Sequence, residues 1–523
     1  MGDPSAPSIQ KPSTLARAEF LVTVFATGAA VLIIEILGTR VVGPVFGVNL
    51  FVWAALLTVT LGSLGGGYYA GGVLVDRAPT PRLLGLVVMV AGLLLCPVPL
   101  IGHAVLGFAE RFGPRGGPLV SASLLFTPSL LALGMTGPIA VRLSTRDLRG
   151  TGRGVGGVYA VSTLGSLAAT LLTSFVLVPA LDTQTILLGT ATLLILVGAV
   201  LLALRRRPWV LAGVLAPLLA STAPQSPLPH GIEVVDHSQS LYGLLEVIDD
   251  NNRGFRLLRA DHSIIGAEFM RDHSAGFSFL HLLEAVQLLR PQAKDMLQIG
   301  LGIGSLPSVL ARRGIRTDVV EIDPGVVRFA RRYFGFSAPG QTYVEDARTF
   351  LRHCERRYDL VVHDTFTGGT TPEHLLSIEV IKSIRNILHP GGVLALNFVG
   401  YQDGPNAEAS WAVARTLRAV FPRVRVFRDS PPDEHPDVPA NLIFFASDGD
   451  LHFDAPTTIA FENSNCARTL RSFQSWEVLT RVPDGGMITD EHNDLARLEL
   501  PVAEAHYHAM NELLPAEVWL HSE

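Results

Sequence analysis

Between Met296 and Asp364 glycines and carboxylates recur at intervals that suit chemistry on a nucleoside. Gly300, Gly302 and Gly304 follow an apolar run and open a helical one, where glycines permit a tight turn and let backbone N–H groups approach a ligand. Glu321 closes the next apolar run, placed to accept both hydroxyls of a ribose. Asp346-Ala347 ends a third run and sets a carboxylate beside the edge of an adenine. Asp364 ends a fourth, next to the glycine turn, within reach of a reacting group. Its plainer role, capping a helix after Thr371, is weakened because Thr371-Pro-Glu-His offers its own cap and first-turn proline.

These residues need strands to carry them. The pattern predicts strands at 296–299, 317–322, 341–344, 358–363, 392–398, 424–428 and 441–446, separated by helices until the last connection. That connection is proline-rich (Pro431, Pro432, Pro436, Pro439) and predicts a terminal antiparallel pair. The result is a seven-stranded, Rossmann-like α/β sheet of the methyltransferase type, with ligands at the carboxyl ends of its strands. Upstream, Leu241–Ile248 and Phe255–Ala260 flank Asp249–Gly254 as a small β-hairpin domain, and a helix is predicted over 275–290. A proline-rich linker spans 223–230. The domains read as 1–222, 223–290 and 291–523.

The first of these reads as a multi-pass α-helical membrane domain. Mean hydropathy over the chain is +0.36, and apolar runs lie at 20–38, 50–72, 83–108, 118–141, 155–180 and 185–204. Each is near the roughly 20 residues that a spanning helix needs. Six spans are expected, with a seventh at 208–222 as the alternative. Residues 1–222 hold 14 Lys and Arg against 7 Asp and Glu, and the remainder 27 against 40. The arginines favour a cytoplasmic N-terminus, and six spans would leave the soluble half cytoplasmic too. Its acidity argues against nucleic acid as a partner and permits a cationic substrate. The expected partners are a lipid bilayer and a small-molecule amine, and a homo-oligomer is compatible. No metal is expected: Cys96, Cys354 and Cys466 lie far apart, and His273, His281 and His363 share no ligand spacing.

No basic cluster for phosphates accompanies the glycines. Glu321 alone keeps a dinucleotide open, but Asp346-Ala347 better fits S-adenosylmethionine or a relative. Taken together, the residues resemble the spermidine/spermine synthase (polyamine aminopropyltransferase) family, and specifically its membrane-fused branch. The resemblance rests on Leu-Gly-Thr-Arg40, the glycine-rich 62–72, Asp364 to Ser377 and Ile488-Thr-Asp-Glu491. It implies aminopropyl transfer from decarboxylated S-adenosylmethionine to an amine, with Asp364 as the catalytic acid–base residue. It also makes Glu321 the ribose acid and Asp346-Ala347 the adenine-side motif, and aligns Tyr242, Asp261 and Asp272 with substrate-side motifs.

Several positions depart from that family's pattern. Its glycine motif carries an acid where this chain has Ile303, and its second aspartate is here Thr367. Expected glutamines fall at Gly243 and near Ile265, and a Tyr-His/Gln-Glu string reads Phe277-Ser-Phe279. A diamine needs carboxylates at both ends of its groove, because buried unpaired ammonium is costly. The departures therefore keep two alternatives open: an S-adenosylmethionine-dependent methyltransferase or alkyl transferase on another acceptor, and a ligand-binding transporter or sensor.

Overall fold

The computed structural model describes residues 14–47, 50–144, 151–203, 217, 228–337, 339–366, 369–453 and 464–520. The chain divides into two compact units, Met1–Ser226 with Leu520–Glu523, and Pro227–Trp519.

Uninterrupted apolar sequence makes the first unit helical: α1 (Thr14–Phe46), α2 (Leu50–Arg77), α3 (Pro81–Leu95), α4 (Val98–Ala109), α5 (Gly113–Ser144), α6 (Thr151–Leu172) and α7 (Thr183–Ala203). Five helical stretches are long and apolar enough to cross a membrane: Glu19–Phe46, Leu50–Arg77, Val98–Ser144, Gly154–Ala180 and Thr183–Ala203. The expected run at 83–108 is interrupted instead. Pro97 and Pro99 have no N–H to give to the preceding turn, so α3 stops at Leu95 and α4 restarts at Val98. The chain then turns at Gly113, where φ is +68°. In the glycine-rich string of α2, a Cβ at Gly67 or Gly71 would stand 2.4 or 2.6 Å from the backbone of α5. Those two glycines allow the helices to touch, while Gly62, Gly65 and Gly72 face open space. The 208–222 run lies outside the described residues apart from Pro217.

The second unit opens with four antiparallel strands in sequence order, β1 (Ile232–Ser240), β2 (Gly243–Asp250), β3 (Phe255–Ala260) and β4 (Ser263–Phe269). The expected hairpin is its centre, closed by Asp250, whose Oδ1 accepts the backbone N–H groups of Asn252 and Arg253 at 3.0 Å. The flanking strands escape a period-two reading because β1 is polar along an edge and β4 carries Gly266 inside it. The helix predicted over 275–290 is two short ones, α8 (Ser278–Leu283) and α9 (Val286–Leu289).

Then comes the mixed sheet: β5 (Asp295–Ile299), β6 (Arg316–Glu321), β7 (Thr342–Val344), β8 (Tyr358–His363), β9 (Leu388–Gly400), β10 (Arg423–Arg428), β11 (Ala440–Ser447) and β12 (Glu477–Val478). Its order is β12-β10-β11-β9-β8-β5-β6-β7. The expected count of seven is one short, because the two-residue β12 is too small to show a period. Strands β9, β8, β5, β6 and β7 are mutually parallel; β11 runs antiparallel between β9 and β10, so β10 points the same way as the parallel strands, and the β10–β11 pair is antiparallel as the prolines before β11 predict. The central strands are apolar on both sides because helices cover both faces. Parallel register brings the carboxyl ends of β5, β6, β7 and β8 to one edge, with Ile299 opposite both Val320 and His363, and Glu321 opposite Val344. The loops that carry Gly300, Gly302, Gly304, Asp346 and Asp364 leave from that edge.

Candidate active site

The glycine loop runs from β5 into α10 (Ser305–Arg312), with Gly300, Gly302 and Gly304 at φ of +85°, +56° and +79°. A Cβ at Gly300 would stand 2.0 Å from the carbonyl oxygen of Asp364. The loop after β5 therefore lies directly against the loop after β8, and only glycine fits between them. Glu321 is buried at the end of β6 and tethers the loop: Oε2 accepts the N–H of Leu301 and Oε1 that of Asp323, both at 2.9 Å. Burial raises its pKa, opposed by those backbone donors. Each oxygen keeps acceptor capacity for a hydroxyl.

Asp346 is the N-cap of α12 (Ala347–His353), accepting the N–H of Thr349 at 2.8 Å. Its Oδ2 stands 3.8 Å from His374. Tyr242 is half-exposed, and its hydroxyl is raised first by desolvation and then by the charges of Asp323, Asp346 and Glu321. The structure thus brings Tyr242 within the influence of Asp323, Asp346 and Glu321.

Asp364 follows β8, and burial pushes its carboxyl up to about 6 against a hydrogen bond that lowers it. That bond comes from Asn397, whose Nδ2 donates to Asp364 Oδ1 at 2.9 Å. Asn397 Oδ1 is buried without a hydrogen-bond partner. The pairing follows from register: His363 on β8 faces Leu396 on β9, so the next residue of each strand meets at the same edge. A polar residue inside Leu-Ala-Leu-Asn-Phe is the sequence signal for Asn397, and it gains meaning only once β8 and β9 are known to be neighbours. Asp364 caps no helix, because the turn after Thr371 starts at Pro372.

Beyond Asp364, Phe366 meets His506 of α17 (Leu500–Leu513) edge-on at 5.2 Å. His506 is held near 4 by burial and shares a hydrogen bond of 3.1 Å with Ser263. Tyr401, just past β9, is raised by desolvation and then by Glu504 of the same helix. Glu499, buried at the head of α17, is pushed up to about 8 by desolvation.

Two weaker candidates do not join this group. Asp261 is structural: its Oδ1 accepts the N–H of Leu244 at 3.0 Å, closing β2 onto β3. Asp272 lies on the wall of a cavity of about 750 Å³ that includes Gly304 but none of Glu321, Asp346 and Asp364. The Ser274 hydroxyl and N–H, then Arg271, hold it down to about 2.

The departures from the polyamine pattern are filled by packing. Ile303 is 3% exposed, in a core with Leu245, Val247 and Leu258, and its Cγ2 stands 2.3 Å from where a Gly266 Cβ would be. At Gly243 a Cβ would stand 2.2 Å from Asp261 Oδ2, which leaves no room for a longer side chain. Phe277 and Phe279 stack at 5.7 Å against a core cluster. Thr367 lies outside the described residues.

Similarity to known proteins follows the same outline. Residues 281–426 match the spermine/spermidine synthase domain. An N-terminal histidine N-methyltransferase from Emericella nidulans is 33% identical over 240 residues, covering 42% of this chain and 42% of that protein. A polyamine aminopropyltransferase from Vibrio vulnificus is 33% identical over 186 residues, covering 33% of this chain and 62% of that protein. The chain therefore spans less than two thirds of either relative. The crystal structure of spermidine synthase from Thermotoga maritima is 20% identical, covering 49% of this chain and 95% of that one at a TM-score of 0.38. Residues 281–426 thus match a spermine/spermidine synthase domain, carried on a mixed α/β sheet.

Proposed function

We propose that the chain is a membrane-bound transferase that moves an alkyl group from the sulfonium of S-adenosylmethionine, or of its decarboxylated form, to an amine-type nitrogen. The observation that carries this reading is the place of Asp364, a half-buried carboxylate raised to about 6, packed on the glycine loop beside Glu321's strand. The nitrogen lone pair attacks the carbon bound to sulfur, the C–S bond breaks, and the neutral thioether leaves with the electron pair. The nitrogen then carries a positive charge, and Asp364 takes its proton. Glu321 and Tyr242 fit the ribose side and Asp346-Ala347 the adenine side.

Methyl transfer is the favoured form. Ile303 is a core residue, and the positions of Gly243, Phe277 and Phe279 are likewise spent on packing, so the acids and glutamines that would hold an aminopropyl chain and a diamine are missing. The methyltransferase from Emericella nidulans is also similar over a longer stretch than the aminopropyltransferase. Its acceptor suggests a histidine-initiated peptide as the first to try. Aminopropyl transfer is the second reading, favoured by the domain match and by Glu504 near Tyr401, which suits a cationic acceptor.

A bilayer location rests on the five apolar stretches and on large side chains such as Leu61, Tyr69 and Phe175 left exposed. To test the reading, full-length protein is given S-adenosylmethionine or its decarboxylated form, each with a histidine-initiated peptide or putrescine, and products are read by mass spectrometry. Methylated peptide is expected. Spermidine would select the aminopropyl reading, and binding without any product would leave only a ligand-binding role.

A further inference from the structure

Away from the nucleoside edge, the second unit buries another group of side chains with chemistry of their own. His281 and Glu284 stand three residues apart at the end of α8, so they share a face. Cys466 reaches them from α15 (Ser464–Ser472). All three are buried, and their ligand atoms lie within 4.8 Å of one another. All three line the cavity of about 750 Å³ whose wall also carries Glu268 and Asp272. His281 Nδ1 is buried without a hydrogen-bond partner and stands 3.6 Å from Glu284 Oε1. The other carboxylate oxygen, Oε2, accepts a hydrogen bond from Arg313 Nη2, and Arg313 Nη1 donates to Gln287 Oε1 at 3.2 Å. The carboxylate is thus divided, one oxygen held by Arg313 and one turned toward the imidazole.

We propose that His281 Nδ1, Glu284 Oε1 and Cys466 Sγ form a three-ligand site for a divalent transition metal of the zinc class, open at its fourth position toward the cavity. The separation of Nδ1 and Oε1 is the edge of a tetrahedron built on bonds of about 2.0–2.3 Å, whose edges run roughly 3.3–3.8 Å. Cys466 Sγ closes the third corner with a side-chain movement of about 1 Å. Nitrogen, carboxylate oxygen and thiolate sulfur together suit zinc or cobalt rather than magnesium or calcium, which take oxygen alone. Arg313 holds the carboxylate oxygen that does not ligate, as outer partners of metal-bound carboxylates do. The thiol gives up its proton on ligation, so the carboxylate and thiolate balance a divalent ion. The competing arrangement is a closed network in which Glu284 simply neutralises Arg313. The site is independent of the transfer reaction, and its test needs no activity.

The chain has three cysteines, Cys96, Cys354 and Cys466. Replacing Cys96→Ala and Cys354→Ser in the full-length protein leaves Cys466 as the sole thiol. That protein is stripped with a chelator and titrated with Co²⁺ alone, with folding followed by circular dichroism. One equivalent should bind, with tetrahedral ligand-field bands and a thiolate-to-cobalt charge-transfer band. His281→Gln in the same background should weaken binding at least about tenfold, while Lys382→Gln, on a distant helix, should leave it unchanged. Should His281→Gln not fold, the charge-transfer band of the parent decides alone, because no other thiol can produce it. Absence of that band at saturating Co²⁺, or its persistence at unchanged affinity in a folded His281→Gln protein, overturns the site.

Discussion

Asp364 owes its raised pKa to burial against the glycine loop, and Asn397 offsets only part of it. A base titrating near 6 should make kcat/KM climb with pH through that value and level off above it. Asp364→Asn should lower kcat by about 10²–10⁴ while leaving cofactor binding largely intact. The same shift has a stability sign. A carboxyl whose folded pKa is raised from 3.8 contributes stability below that value and loses it as pH rises toward about 6. Asp364→Asn should therefore be more stable than wild type at pH 8 by on the order of 1 kcal/mol, as read by denaturant unfolding. Glu321 couples the loop to β6 through two charge-assisted bonds, so Glu321→Gln should weaken cofactor binding about 10- to 100-fold, as read by calorimetry. At this scale the sequence is most legible where chemistry demands a carboxylate at a strand end, as with Glu321 and Asp364. It is least legible where a carboxylate serves backbone instead. Asp261 closes a turn, and its residue type does not distinguish that task from ligand binding.

Elements explain why the substrate side departs from the polyamine pattern. The four-stranded sheet packs on the glycine loop through Ile303 and Gly266, so position 303 belongs to a core. Ile303→Asp should not restore polyamine chemistry. It should destabilise the protein by about 3–5 kcal/mol through an unpaired buried charge, visible as a lowered Tm. Helix α17 contributes Glu499, raised from 4.5 to about 8 by burial first, with Glu373 adding repulsion. Stability held below pH 4.5 is lost as pH climbs to about 8, so Glu499→Gln should gain on wild type across that window and then hold its lead. Thermal melts at pH 5 and pH 8.5 check this. The α/β alternation was readable because buried parallel strands are short, apolar and punctuated. The edge strand β1, the glycine-bearing β4 and the break between α8 and α9 were not, because only tertiary packing makes them regular. Asn397 belongs with these, since its meaning depends on β8 and β9 being neighbours.

For the whole molecule, the issue on the proposed membrane reading is how many times the first unit would cross a bilayer. At 15 residues, α3 is about 22 Å long, short of a hydrocarbon core of roughly 30 Å. We take α3 and α4 as two halves of one crossing kinked at Pro97. Counted so, the described helices would cross a bilayer six times and leave the start of α1 and Ala203 on the same side. A reporter fused just after Ala203 should then match the compartment of one fused before α1, and opposite compartments would mean an odd number of crossings. The apolar runs are legible from composition, but the kink is not, since hydropathy does not register a missing N–H.

The central claim is Asp364-dependent transfer from an adenosyl sulfonium to nitrogen. Its most direct test is a single-turnover assay on full-length wild type and Asp364→Asn, with S-adenosylmethionine and a histidine-initiated peptide and binding measured in parallel. Equal cofactor binding by both proteins, with methylated peptide formed at an appreciable rate only by wild type, is the predicted result. Equal transfer by the two proteins, or no binding of either form of the cofactor by wild type, would contradict it.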